Sequence, residues 1–296
     1  MIPVSAPRFT LAEGPVWDGD RLLWVDIPEG RVLVGHLDGD VLVVDDEHRF
    51  DGHVGTAALA ADGAMLVAET RSLTRVDPDG GRRSTGPIVE VGPDDRFNDG
   101  ICDRAGRLLI GTLSLTGDHR DQRLLQIDKG TTTVLDDDLG LANGMAFSPD
   151  DSLLYSVDSV PGTVWVREYD HATGATGARR LLLDLSDTTP DGMTVDASGD
   201  LWIAIWGGAE VRRYSPEGSL VERLPVPAPH VSSVAFVGPG LDQLVVTTAR
   251  SELSPAQLDA YPLSGSLFLT RTGATGLATH PWSGDLPTTR TPGAAP

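Results

Sequence analysis

One pattern recurs along this chain: a small residue opens an apolar strand, an Asp- or Gly-rich turn follows, and a second apolar strand returns. Pro190-Asp-Gly-Met-Thr-Val-Asp-Ala-Ser-Gly-Asp-Leu-Trp-Ile-Ala204 shows it most fully, with strands over Gly192 to Val195 and Leu201 to Ile205. Equivalent units begin at Gly14, Ala57, Gly100, Gly144, Gly192 and Ser233, a period of 41 to 48 residues. A repeat of that length built from short strands predicts a β-propeller, because each unit buries its apolar faces only against its neighbours. The expected fold is therefore all-β, a six-bladed propeller with four-stranded antiparallel blades. It forms one domain over residues 1–285, with a flexible tail over 286–296. The 34 Gly and 21 Pro suit many short strands joined by tight turns. Helix is expected only at Ser254-Pro-Ala-Gln-Leu258, where Ser254 can cap and Pro255 can open the first turn. The partly apolar N-terminal residues are expected to pair with the last blade around Ser266 to Thr270, closing the ring.

The residue just before each unit is polar: Glu13, Thr56, Asp99, Asn143, Asp191 and Ser232. In a propeller these positions are related by rotation about the central axis, so their side chains converge on one end of the channel. Carboxylates and an amide gathered there are oxygen ligands for a hard cation. Taken singly, Glu13, Asp99 or Asp191 reads as a turn residue accepting backbone N–H groups. Together they would leave like charges facing one narrow channel, a cost that a cation removes.

Charge and leader signals narrow the partners. Lys and Arg number 23 against 43 Asp and Glu, a net charge of −20 with no basic run, so nucleic acid is excluded as a partner. The N-terminus has neither a basic nor an apolar leader region, and no run reaches membrane-spanning length. The chain thus reads as cytoplasmic and without membrane association; its oligomeric state is open, with a monomer favoured. The single cysteine, Cys102, lies in an apolar strand and reads as a buried small side chain. None of the seven histidines stands at ligand spacing, and His36, His48, His53, His119, His171, His230 and His280 read as surface or loop residues. Trp17, Trp24, Trp165 and Trp202 read as packing between blades. Trp206, followed by Gly207 and Gly208, is the exception placed near substrate. A polar insert over 114–122 and a longer connection over 250–264 read as loops over one face.

Four motifs in order resemble the SMP-30/gluconolactonase/luciferin-regenerating-enzyme family: Leu11-Ala-Glu13-Gly-Pro-Val-Trp17, Arg96-Phe-Asn98-Asp99-Gly100, Asn143-Gly-Met-Ala-Phe-Ser-Pro-Asp150 and Pro190-Asp191-Gly-Met193. Thr247-Thr-Ala-Arg250 also stands where that family has its counterpart. The resemblance implies one divalent cation in the channel, held by Glu13, Asn143 and Asp191, with Ca²⁺ favoured and Mn²⁺, Zn²⁺ or Mg²⁺ open. It implies substrate contacts from Arg96 and Asn98, with Asp99 beside them. The activity implied is hydrolysis of a sugar lactone, a small neutral molecule, with Asp191 as general base for the attacking water. Another esterase or phosphotriesterase activity on the same metal, or a non-catalytic scaffold, is the alternative. Where family members that open gluconolactone carry a Lys after Asn-Asp-Gly, this chain has Ile101; where they carry a Glu after the third blade's Gly-Thr, it has Asp118, His119, Arg120 and Asp121. The pocket therefore differs in detail, and pentonolactones and hexonolactones are both open.

Overall fold

The structure is a computed structural model describing residues 1–5, 8–88, 90–117 and 119–286. It is an all-β, propeller-like fold, with Pro255–Ala260 the one helix among the described residues. Ser254 caps that helix by accepting from the Gln257 backbone N–H, and the Gln257 side chain answers from the third helical position. No helix is long and apolar enough to cross a membrane.

Each repeat begins with a strand that lies innermost: Ala12–Trp17, Val54–Leu59, Asp95–Cys102, Ala142–Phe147, Thr189–Val195 and His230–Val237. These strands pack against one another in sequence order, and His230–Val237 packs back against Ala12–Trp17, which closes the ring. Three sheets of four strands run outward as antiparallel meanders from Ala12–Trp17, Val54–Leu59 and Asp95–Cys102. Burial follows position in the sheet: every residue of Ala142–Phe147 is buried, whereas the outermost strand Val41–Arg49 is largely exposed. Inner strands are covered on both faces by neighbouring sheets, so they read as apolar runs; outer strands see water.

Among the described residues the hydrogen-bonded sheets number five, not the six separate four-stranded ones expected. In one, Thr163–Asp170 overhangs its neighbours and pairs with both Arg180–Asp184 and the short Ala175–Thr176, giving five strands. In another, Trp206 pairs with His230 and fuses two neighbouring sets into an eight-stranded sheet. That sheet ends in Phe268–Arg271 and Ile2–Pro3, the predicted closure by the N-terminus, with Ile2 opposite Leu269 and Pro3 opposite Phe268.

Apolar clusters fill the space between adjacent sheets, and Trp24 and Trp202 are fully buried in two of them. Trp165 differs from its expected burial, lying half-buried beneath the Arg179 guanidinium. The aspartates of the turns behave as turn formers: Asp103 accepts from the Ala105 and Arg107 N–H groups, and Asp196 from those of Ser198 and Asp200. After the last strand, residues 272–286 cross one end of the ring. Along that path Ala197 donates to Thr275, Thr279 to Trp17, Trp282 to Leu59 and Ser283 to Gly106. Leu286, assigned to the tail by sequence, packs on the cluster around Leu66 and Phe97. The remaining tail residues, 287–296, and Asp118 of the insert lie outside the described residues.

Candidate functional site

All the inner strands break register at the same place. The pairing slips between Glu13 and Val16, Val54 and Thr56, Phe97 and Gly100, Ala142 and Met145, Pro190 and Met193, and Val231 and Ser233. Each slip is a β-bulge at or beside the polar residue of the repeat, and a bulge re-aims the side chain it carries. Close approach of neighbouring inner strands accounts for the small residue that follows. A Cβ on Gly192 would meet the Ser233 hydroxyl at 2.1 Å and the Ser232 carbonyl at 2.8 Å.

Glu13, Arg96, Asn98, Asn143 and Asp191 line one cavity of about 230 Å³. Leu11, Ile27, Leu113 and Leu141 supply apolar wall, and Ser159, Thr189, Trp206 and Glu252 complete it. Asp99 lines a neighbouring cavity of about 330 Å³ that also takes in the strap residues Ala278 to His280, while its carboxylate still acts on Glu13 and Asp191. That cavity is the larger, but none of the other predicted site residues reaches it, so size does not mark the chemistry here.

The predicted ligands are buried and poorly neutralised. Burial first, then the Asp191 and Asp99 carboxylates, push the Glu13 carboxyl well above its usual range, against the Gly14 N–H it accepts at 2.7 Å. Asp191 is raised likewise, by burial and then by Asp99, with the Asn143 amide, the Gly192 N–H and Arg96 pulling the other way. Asp99 is brought up to about 6 by burial. Asn143 donates through Nδ2 to Ser159 Oγ at 3.2 Å, and that hydroxyl donates on to the Pro190 carbonyl at 2.7 Å. The amide orientation is thereby fixed, and Asn143 Oδ1 is left buried without a partner.

Arg96 is also fully enclosed. Its guanidinium donates to the Phe97 carbonyl at 2.8 Å and to Asn98 Oδ1 at 2.9 Å, while Asn98 Nδ2 donates to the Ala142 carbonyl at 3.0 Å. Burial draws the Arg96 pKa down to about 10, so the side chain keeps its charge at neutral pH. Among the described residues lining the cavity it is the one cationic side chain.

Residues 11–250 match the family model described as the SMP-30/Gluconolactonase/LRE-like region. The chain belongs to this family. Among its SMP-30/gluconolactonase relatives, the pentonolactonase XacC of Haloferax volcanii is 36% identical over 287 residues, covering 90% of this chain and 92% of that protein. A 6-deoxy-6-sulfogluconolactonase of Pseudomonas putida is 33% identical over 279 residues, covering 90% of this chain and 93% of that one. The crystal structure of a calcium-binding protein, regucalcin, from Agrobacterium tumefaciens superposes with a TM-score of 0.88 at 28% identity, covering 95% of this chain and 96% of that one.

Of the residues singled out in the sequence, Glu13, Arg96, Asn98, Asn143 and Asp191 are brought together on one cavity. Thr189, Ser159 and Glu252 were not singled out, since a Thr, a Ser and a loop Glu carry no distinguishing spacing. Trp206 was, through the Gly-Gly that follows it, and it does line the cavity. His230, read as a surface residue, is instead half-buried and stacked on Trp206 with ring centroids 4.2 Å apart.

Proposed function

We propose that this chain is a six-bladed propeller that hydrolyses a sugar lactone with the help of one divalent cation held by Glu13, Asn143 and Asp191. The blade count rests on the closed cycle of inner strands and their matching bulges, with the eight-stranded sheet taken as two blades joined only at Trp206 and His230. The observation that carries the metal reading is the pairing of two buried carboxyls with the unpartnered Asn143 Oδ1 on one cavity. Such atoms are costly unless something neutralises them. Among the described residues no three His, Cys, Asp or Glu side chains form a metal-holding group. An oxygen set of two carboxylates and one amide carbonyl suits a hard ion, Ca²⁺ first and Mg²⁺ or Mn²⁺ after it. Membership of a family with named lactonases, together with the calcium-binding regucalcin, supports both parts of the reading.

Bound there, the cation would supply Lewis-acid charge to the lactone carbonyl oxygen as it becomes an oxyanion, a contribution of several kcal/mol. Asp191, a carboxylate on the wall of the same cavity, accepts a proton from water as the water oxygen attacks the carbonyl carbon. The ring C–O bond then breaks, and the proton passes to the departing ring oxygen, giving the hydroxy acid. Arg96 and Asn98 hold the substrate hydroxyls, since each is itself fixed by hydrogen bonds and need not be ordered on binding. Apolar Leu11, Leu113 and Leu141 limit water around the reacting atoms.

A panel of pentono- and hexonolactones followed by pH-stat, with metal content measured on the purified protein, tests the assignment. The wild type is expected to open at least one of them, to lose activity to chelator and regain it with Ca²⁺, Mn²⁺ or Mg²⁺. An Asp191→Ala variant should fall by roughly 10²–10⁴-fold. Activity within tenfold of wild type in that variant would remove Asp191 from the mechanism.

A further inference from the structure

The wall of the cavity next to Asp191 is built by a chain of contacts that the proposed reaction does not use. Trp206 sits on the strand beside Asp191, opposite Thr189 in the pairing, and its indole is stacked on the His230 imidazole at an interplanar angle of 15°. His230 Nδ1 donates to the Ser251 carbonyl at 3.0 Å, so it carries the proton and the ring is locked in place. Arg250 and Ser251 both donate through their backbone N–H groups to the Thr10 carbonyl, at 3.1 and 2.9 Å. The next residue, Glu252, is pinned at φ +62°, a conformation that side chains other than glycine seldom adopt, and it is exposed on the rim of the same cavity. A carboxylate is thus held in an unfavoured backbone position over a cavity whose one cationic side chain, Arg96, is already engaged.

We infer that Trp206 and Glu252 set substrate choice: the indole takes the C–H face of the lactone ring, and Glu252 accepts from its outlying hydroxyls while repelling lactones that bear an anionic group there. This rests on the lactonase reading and adds the charge class of the substrate, neutral polyhydroxylated lactones over carboxylated, sulfonated or phosphorylated ones. An aromatic face offers apolar contact to a sugar's C–H groups, and a rim carboxylate acts through space on an approaching anion.

The probes are a neutral pentonolactone and a lactone of the same ring size bearing a terminal carboxylate. At low ionic strength the wild type should favour the neutral one by roughly tenfold or more in kcat/KM, a discrimination that salt weakens. Glu252→Gln should bring the two substrates toward parity, chiefly through KM, and its ratio should respond to salt less than the wild type's. Glu252→Gly, which relieves the backbone, should behave as Gln does. Trp206→Ala should raise KM for the neutral lactone by roughly tenfold with a smaller change in kcat, and Trp206→Phe should fall between. If the wild type opens neutral lactones but the Gln variant keeps its charge preference and salt response, this inference is wrong while the lactonase reading stands. If the wild type opens no lactone at all, both fall.

Discussion

Gly144 and Asp191 belong to neighbouring inner strands that touch through backbone: a Cβ built on Gly144 would stand 2.4 Å from the Asp191 carbonyl oxygen and 2.7 Å from the Met193 nitrogen. The residues on either side of this contact, Asn143 and Asp191, are both proposed ligands, so their separation is set by the missing side chain between them. A Gly144→Ala substitution must push the two strands apart. It is expected to cost about 1–3 kcal/mol of stability, as overpacking does, and to depress activity further than that loss explains. Thermal unfolding and lactone turnover measured together check this; a variant equal to wild type in both would mean that the strands can part freely.

Ser159 orients Asn143 from behind, taking a hydrogen bond from its Nδ2 and passing one to the Pro190 carbonyl. Ser159→Ala should leave the fold intact and weaken divalent-cation affinity by about 10–100-fold, as loss of a group that orients a ligand does. Calorimetric titration of the metal-free protein with Ca²⁺ and Mn²⁺ measures it. Unchanged affinity would show that Asn143 needs no such support, or holds no ion.

Burial holds Glu13, Asp99 and Asp191 above the usual carboxylate range, with Asp99 at about 6. A carboxyl raised in the folded state binds its proton more tightly there than in the unfolded chain, so its contribution is complete below the unfolded value of about 4 and is lost as pH rises through the folded value. Carboxylates lowered by arginine hydrogen bonds, such as the exposed Asp62 and the half-buried Asp77, run in the opposite sense, so the effect is read as a difference. In chelator, wild type should lose stability relative to Asp99→Asn as pH climbs from about 4 to beyond about 6. Added Ca²⁺ should raise the Tm of the wild type more on the alkaline side of that window than on the acid side. Equal Tm gains at both ends would argue against a cation held by Glu13 and Asp191.

Asp103 and Arg107 form a buried ion pair at 2.6 Å, and the Tyr169 hydroxyl donates to the same Asp103 oxygen at 2.7 Å. Because Arg107 also reaches the His171 and Ala172 carbonyls, this network ties one turn to the hairpin of the next sheet. Asp103→Ala takes from a buried guanidinium the nearer of its two carboxylates, leaving Asp128 at 3.4 Å, and is expected to cost about 3 kcal/mol. Denaturant unfolding gives the number, and a loss below 1 kcal/mol, the ordinary value for an exposed pair, would mean that water reaches Arg107.

Burial and the nearby Asp103 carboxylate push the Cys102 thiol up to about 12. Since only the thiolate attacks, the native protein should resist maleimides at neutral pH and release one reactive thiol on denaturation. Labelling of the native protein at the rate of a free thiol would show that the strand Asp95–Cys102 opens.

The helix at Pro255–Ala260 and the closure by Ile2–Pro3 were both readable in the sequence, the first from its capping residues and the second from the demand that a propeller close. Asp99 was less simply legible. It occupies the repeat position of Glu13 and Asp191 and its carboxylate raises the pKa of both, yet it lines the neighbouring cavity and not the one they share. His230 and Glu252 escaped notice for a different reason. Their roles depend on Trp206 and Thr10, partners far away in the chain, and no local pattern records such a contact.

Spacing and residue type determined the strand order, the turns, the inner polar positions and the family, since each follows from local alternation, backbone preference and a fixed period. Tertiary structure alone decided which of those polar side chains share a cavity, that Trp206 and His230 fuse two sheets, and that residues 272–286 return across one end of the ring. These outcomes come from how bulged strands settle against their neighbours at close range, a balance of packing and hydrogen bonding between residues that are distant in the chain.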